Sequence, residues 1–229
     1  MPISPALDTT LAENDPDHID HHVAIHTFLN DEAETEDGSQ AKADSLALIV
    51  HRSMGFADDE VETFTRKGSD QIAPGSGVAE CAYFTPVIDL TISKLAVWCA
   101  SVSSGLTVGR MALYTAAANG DLTIVARTAN DTTLNNTLAV AGGANPSEKS
   151  LDTTGGYPAT YDLVAGQNYA IGLLLVGSGM GAIRAWVGLA NQQFDIPRQS
   201  ARKTGLSDLD GNLTSMSAST WVIWARASA

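Results

Sequence analysis

Residues 168–177 read NYAIGLLLVG, and the stretch Tyr169–Val176 inside them is an almost unbroken apolar run. It is far short of the roughly 20 residues that cross a bilayer as a helix. An apolar run of this length between turn residues is a strand buried on both sides, central in a sheet or at a subunit interface. Ala165-Gly166-Gln167 supplies a tight turn just before it. Gly177-Ser178-Gly179-Met180-Gly181 follows it; this stretch lacks the lysine and the strand–turn–helix setting of a phosphate loop, so it reads as a flexible connection between strands.

The segment upstream shows the complementary pattern. Residues 105–130, GLTVGRMALYTAAANGDLTIVARTAN, read as a hairpin in which Asn119-Gly120 supplies the positive φ angles of a tight turn. Alternation gives the first arm two faces, Val108, Arg110, Ala112 and Tyr114 against Met111 and Leu113. From Glu80 onward the same logic marks strands at Glu80–Phe84, Leu90–Ser101, Thr107–Thr115, Leu122–Thr128, Ala159–Leu163, Asn168–Val176, Ala182–Leu189 and Thr220–Arg226. Short strands, Gly-rich turns and few helix signals predict a mainly β fold, an antiparallel sandwich of jelly-roll type.

Charge divides the chain. Of 229 residues, 26 are acidic and 13 basic, a formal net charge of −13. Residues 1–70 hold 16 acids and 4 bases, whereas 71–229 hold 10 and 9. The predicted organisation is therefore an acidic N-terminal arm over 1–70 and a nearly neutral β-domain over 71–229. Such acidity disfavours nucleic acid, whose phosphates require clustered Lys and Arg. No apolar stretch suits a membrane, and the start, MPISPALDTT, has neither the basic nor the apolar region of a secretory signal. The expectation is a soluble acidic chain.

All five histidines, His18, His21, His22, His26 and His51, fall in the arm. Asn14-Asp15-Pro16-Asp17 starts a helix predicted over 17–30, DHIDHHVAIHTFLN, with Asp17 and Asp20 at its positive end. Ile19, His22, His26 and Leu29 form a two-heptad seam too short to stand alone, so it must dock on copies of itself or on another protein. Three copies would bring His22 and His26 together near an axis, where imidazoles can take a transition metal. The first reading is nonetheless a polar stripe hydrogen-bonded to carboxylates such as Asp20 or to solvent, with no metal and no cofactor. Ser45–Val50 reads as a short strand or a buried turn of helix, and residues 66–77 as a linker or long loop.

Reactive chemistry is sparse. No GxSxG, Walker loop, GxGxxG or CxxC stands in the chain. Asp208, Asp210 and Asn212 resemble the first ligands of a calcium loop, but Leu213 and Ser219 replace its Gly and Glu, so a hairpin turn is expected. Cys81 and Cys99 are expected as buried free thiols rather than a disulfide. Trp98 and Trp186 are assigned to the core. Trp221 and Trp224, three apart on a strand, face opposite sides. One of them, or Tyr157, is then left for a ligand or an interface.

DHIDHHVAIHTFLN resembles the amino-terminal helix of structural proteins from tailed bacteriophages of actinobacteria, the minor tail proteins. It departs from their pattern at Val23, where the family carries Asn. The strings LYTAAANGDLTIVARTANDTT (113–133) and LDTTGGYPATYDLVAGQNYAIGLLLVG (151–177) are similar to a module of those minor tail and fibre-like proteins. The resemblance implies a non-enzymatic virion component, assembled in the host cytoplasm and commonly trimeric. Its arm would engage other virion proteins, and its sandwich would serve tail architecture or binding to host-surface glycan. A decoration protein on the phage head is the alternative, and a polysaccharide depolymerase a third reading. The resemblance carries no catalytic residues.

Overall fold

In the computed structural model of the chain, the apolar run at 169–176 lies in the middle of a sheet. Residues 46–47, 59–63, 70–134, 146–187 and 199–229 are described. The chain divides into two units, Met1–Ile49 and Val50–Ala229. In the first unit, residues 46–47 are helical and Leu46 is exposed, so a helix, but not a buried one, stands at this point of the 45–50 run. The helix expected over 17–30 lies outside the described residues.

The second unit is mainly β. Its described strands are, in chain order, β1 (Glu60–Glu62), β2 (Asp70–Ile72), β3 (Val78–Phe84), β4 (Leu90–Ile92) and β5 (Lys94–Val97). The middle of the chain adds β6 (Ser104–Ala116), β7 (Leu122–Arg127), β8 (Ser147–Ser150), β9 (Tyr161–Leu163) and β10 (Tyr169–Gly179). The rest are β11 (Ile183–Val187), β12 (Ser200–Lys203), β13 (Ser217–Ala218), β14 (Trp221–Ile223) and β15 (Ala225–Ser228). They pair antiparallel in a six-stranded sheet, β13-β12-β3-β10-β6-β7, and in smaller sheets β1-β15-β5-β8, β14-β11-β2 and β4-β9. Residues 60–62, inside the acidic stretch, pair with Arg226–Ser228 and so belong to this β assembly.

Both faces of β10 are buried within the unit. Tyr169, Ile171, Leu173 and Leu175 join one cluster with Ile92, Leu95, Val97 and Ile223. Ala170 and Leu174 join a second with Cys81, Ala112, Tyr114, Leu209 and Leu213. The faces read for β6 are the observed ones: Met111 and Leu113 enter the first cluster, Ala112 and Tyr114 the second, and Val108 packs against the latter. Gly172 sits in tight packing: a Cβ would stand 3.1 Å from both the Cys81 sulfur and the Tyr114 ring, which would have to shift to admit it. The β6–β7 pairing runs to Ala116–Leu122, and in the connection 117–121 only Gly120 has positive φ, 85°, with the Ala117 N–H donating to the Asp121 carbonyl.

Several expectations need correction. Gly177–Gly179 is not a flexible connection: β10 continues through it past a bulge, pairing Gly177 with Leu106 and Gly179 with Ser104. A side chain at Gly177 would collide with the Gly105 carbonyl, so the glycine serves close strand approach. The strand read over 90–101 breaks at Ser93, which donates to the Ser228 carbonyl and accepts from the Leu151 N–H, sending β4 and β5 to different sheets. The strand read over 220–226 breaks likewise at Trp224, whose N–H donates to the Arg184 carbonyl. Asp208, Asp210 and Asn212 do not form a short turn: they belong to a long irregular strap, residues 204–216, that joins the paired strands β12 and β13. Leu206, Leu209, Leu213 and Met216 of the strap cover the second cluster.

Trp186 is not core. It is 47% exposed, on the face of β11 opposite the buried Ile183 and Ala185. Trp98 is half-buried and packs edge-on against Trp224, with ring centroids 5.6 Å apart. Cys81 and Cys99 are buried thiols not joined in a disulfide, held in different clusters on opposite faces of the six-stranded sheet. Burial pushes the Cys81 thiol far up and that of Cys99 to about 12, so both stay protonated and unreactive at neutral pH.

Two consequences can be measured. Leu173 is fully buried, so Leu173→Ala should cost about 2–5 kcal/mol in urea unfolding, the transfer and cavity terms together. Glu80 on β3 is 2% exposed; it accepts from Ser219 Oγ at 2.8 Å and pairs in register with Arg202. Burial outweighs both partners and raises its pKa above 4.5. The folded state therefore holds this proton more tightly than the unfolded chain does. That stabilisation is complete below about pH 4.5 and is lost as pH rises through the higher folded value. Glu80→Gln should flatten this part of the pH–stability curve and be at least as stable as the parent at pH 7, read from thermal unfolding across that range.

Candidate polar groove and arginine pair

The chain leaving β7 and the chain leaving β8 run into two turns of the same sequence, Asp131-Thr132-Thr133 and Asp152-Thr153-Thr154. Each is an Asx turn, in which a carboxylate accepts from the backbone two residues on. Asp131 Oδ1 accepts from the Thr133 N–H at 2.7 Å and from Thr133 Oγ1 at 2.6 Å. Asp152 Oδ1 accepts from the Thr154 N–H at 3.0 Å, and its other oxygen from the Thr154 hydroxyl.

Main-chain contacts fix the two turns side by side. Thr128 and Leu151 form an isolated antiparallel bridge, and the Asp152 N–H donates to the Arg127 carbonyl at 2.7 Å. Asn130 clamps the first turn to β6, accepting from the Gly109 N–H at 3.0 Å and donating to the Thr107 carbonyl at 3.1 Å. Between them opens a cavity of about 470 Å³ lined by residues 129–131 and 149–153. Lys149 Nζ meets Asp131 Oδ2 at 2.6 Å.

The electrostatics hold both carboxylates ionised. At Asp131 partial burial works against ionisation, but hydrogen bonds from Lys149 and Thr133 outweigh it and lower the pKa. At Asp152 the Thr154 hydroxyl and N–H lower it, assisted by the charges of Arg127 and Arg110. A glycoside hydrolase needs one carboxyl with a raised pKa to protonate the leaving oxygen, and neither is so tuned.

Beyond Asp152 lies the arginine pair. Arg127 is in register with Ala112, two residues from Arg110, so the two arginines are diagonal neighbours on the second-cluster face. Arg127 lies 4.6 Å above the centroid of the Tyr157 ring, and Tyr157 Oη donates to the Asp210 carbonyl at 3.1 Å. The turn needs Gly155, at φ 77°, where a Cβ would press on Arg127 Nη2. Arg110 is 8% exposed and meets Asp208 of the strap at 3.0 Å.

No family model and no curated protein matches the chain. The residues picked from sequence are thus judged on geometry alone. Ile19, His22, His26 and Leu29 lie outside the described residues, as do all five histidines. Among the described residues no group of three or more His, Cys, Asp or Glu is placed to hold a metal. Of the tryptophan pair, Trp224 is buried, its Nε1 donating to Glu62 Oε2 at 3.1 Å, and cannot face a ligand; Trp221 is half-buried. Tyr157 alone of the three aromatics stands beside the groove. Nothing in the local sequence marks Lys149 and Ser150 on the polar strand β8 as site residues. The repeated Asp-Thr-Thr was the available signal.

The Arg110–Asp208 contact latches the strap to the sheet. Asp208→Ala leaves a buried guanidinium without its counter-charge and should destabilise by about 1–3 kcal/mol. Combined with Arg110→Met it should cost less than the two single losses added. Urea unfolding of the four proteins of this double-mutant cycle measures the coupling.

Proposed function

We propose that this chain is a non-enzymatic structural protein of a bacteriophage virion, a minor tail or fibre-type component. In this reading the N-terminal arm attaches it, through the seam of Ile19, His22, His26 and Leu29, to its own copies and to neighbouring virion proteins. The β unit, a jelly-roll-like sandwich, is carried as a trimer and touches the host surface.

One observation carries the reading. The two strings that resemble the minor tail module, 113–133 and 151–177, fold next to each other: they supply the end of β6, all of β7, the groove turns and most of β10. The resemblance thus falls on the frame of the unit rather than on scattered loops. Both faces of the main sheet are filled by the unit itself, so the sandwich completes its core without a partner's residues. That leaves self-association to the arm, which suits an attachment segment.

Antibody labelling of purified particles tests the assignment, with label expected on the tail. Label on the head shell would replace it with the decoration-protein alternative. Native mass measurement of the full chain is expected to give a trimer, and a monomer at micromolar concentration would overturn the axial seam.

A further inference from the structure

The groove between the Asp-Thr-Thr turns holds more hydrogen-bonding capacity than the fold consumes. Lys149 directs its ammonium to Asp131, a single partner for three N–H donors. The hydroxyls of Ser150 and Thr153 in its lining make no hydrogen bond among the described residues. Asp131 Oδ1 is filled by its two bonds from Thr133, but Asp131 Oδ2 and both oxygens of Asp152 receive one each and can accept another.

The charge pattern narrows the ligand. Lys149 and Asp131 neutralise each other, and Asp152 sits in the positive field of Arg127 and, more weakly, of Arg110. A multiply charged anion or a cation finds no net opposite charge here. The cavity volume falls within the range of small-ligand sites, and its lining alternates donors and acceptors with only Ala129 and Leu151 apolar. Ionised carboxylates beside an ammonium and hydroxyls match a neutral molecule bearing adjacent hydroxyl groups, each of which both donates and accepts.

We propose that this groove binds a neutral saccharide unit, with Asp152 and Asp131 accepting from sugar hydroxyls and Lys149 donating to them. That the sugar belongs to a host-surface glycan rests on the function proposed above; the chemistry of the groove does not.

The test uses the full chain, isotopically labelled, titrated with glucose, galactose, mannose, arabinose and N-acetylglucosamine, and with glucuronate as a charged comparison, while amide resonances are followed. At least one neutral sugar is expected to shift the amides of Asn130, Asp131 and Lys149–Thr153 with millimolar affinity. Asp152→Ala should weaken that binding about tenfold, the loss of one charge-assisted hydrogen bond. Thr153→Trp blocks the groove from an exposed turn and should abolish binding while leaving the melting temperature unchanged. The proposal is overturned if no neutral sugar moves these amides, if glucuronate binds better than the neutral sugars, or if both variants bind as the parent does. Tail labelling with a silent groove would remove the saccharide site and keep the virion reading. A working groove on a chain absent from particles would do the reverse.

Discussion

Burial of both faces of one sheet is the constraint on which the rest of this molecule depends. Leu173, Leu174 and Leu175 are each fully buried, and side chains of this kind contribute about 1.5–3 kcal/mol apiece when withdrawn from water. Consecutive residues of a strand point to opposite sides, so a run like this cannot be satisfied by one covering layer. The chain provides two of different character. On one side the cover is regular, drawn from β4, β5, β14 and β15. On the other it is the irregular strap at 204–216. Irregular backbone cannot pair with itself, so its polar groups must find partners elsewhere. Asp208 meets Arg110, the Asp210 carbonyl accepts from Tyr157, Asn212 accepts from the Ile124 N–H, and the Thr214 carbonyl accepts from Lys203. The polar anchors on the sheet's second face follow from covering it without a second sheet.

The groove inherits its position from the same frame. Its first turn continues β7, an edge strand of the six-stranded sheet, and its second continues β8, an edge strand of the four-stranded one. The Thr128–Leu151 bridge joins these two edges, and the turns diverge just beyond it. Each turn is stiffened locally by its own Asp–Thr bonds, and Lys149 at Asp131 and the arginines near Asp152 help keep the carboxylates charged. A binding site made from pre-formed turns loses little conformational entropy on meeting a ligand.

What could be read from the sequence was what period and turn chemistry carry. The apolar run at 169–176, the two faces of β6 and the turn at Gly120 each follow from a local rule, and each stands as read except that Asn119 does not share the positive φ and the loop is longer. The edge strands β1, β2, β8 and β13, and β12 beside β13, were not legible, because they are short and polar and gain strand geometry only from a neighbour's ladder. The breaks at Ser93 and Trp224 were hidden for a related reason: a strand that changes sheets keeps its composition while changing its partner. The strap showed as a turn-rich stretch, but nothing local states which face it will cover. At the groove the two Asp-Thr-Thr strings are a local signal for Asx turns. Their pairing rests on a register some twenty residues apart, and a site residue such as Lys149 acquires meaning only from the Asp131 opposite it.

A shallow polar groove of this kind also sets limits on how the molecule can use it. Sugar hydroxyls exchange hydrogen bonds with water for nearly equal ones with protein, so each contact contributes only about 0.5–1.5 kcal/mol net. Burial adds little where the lining offers just Ala129 and Leu151 as apolar surface. A sugar bound in one groove as proposed would therefore be held only briefly. Several copies fixed on a common axis change the arithmetic, since a second contact becomes intramolecular and its effective concentration replaces the dilute one. In the proposed reading the acidic arm and the nearly neutral β unit divide the work: the arm would bring copies together, and the copies would make weak contacts add.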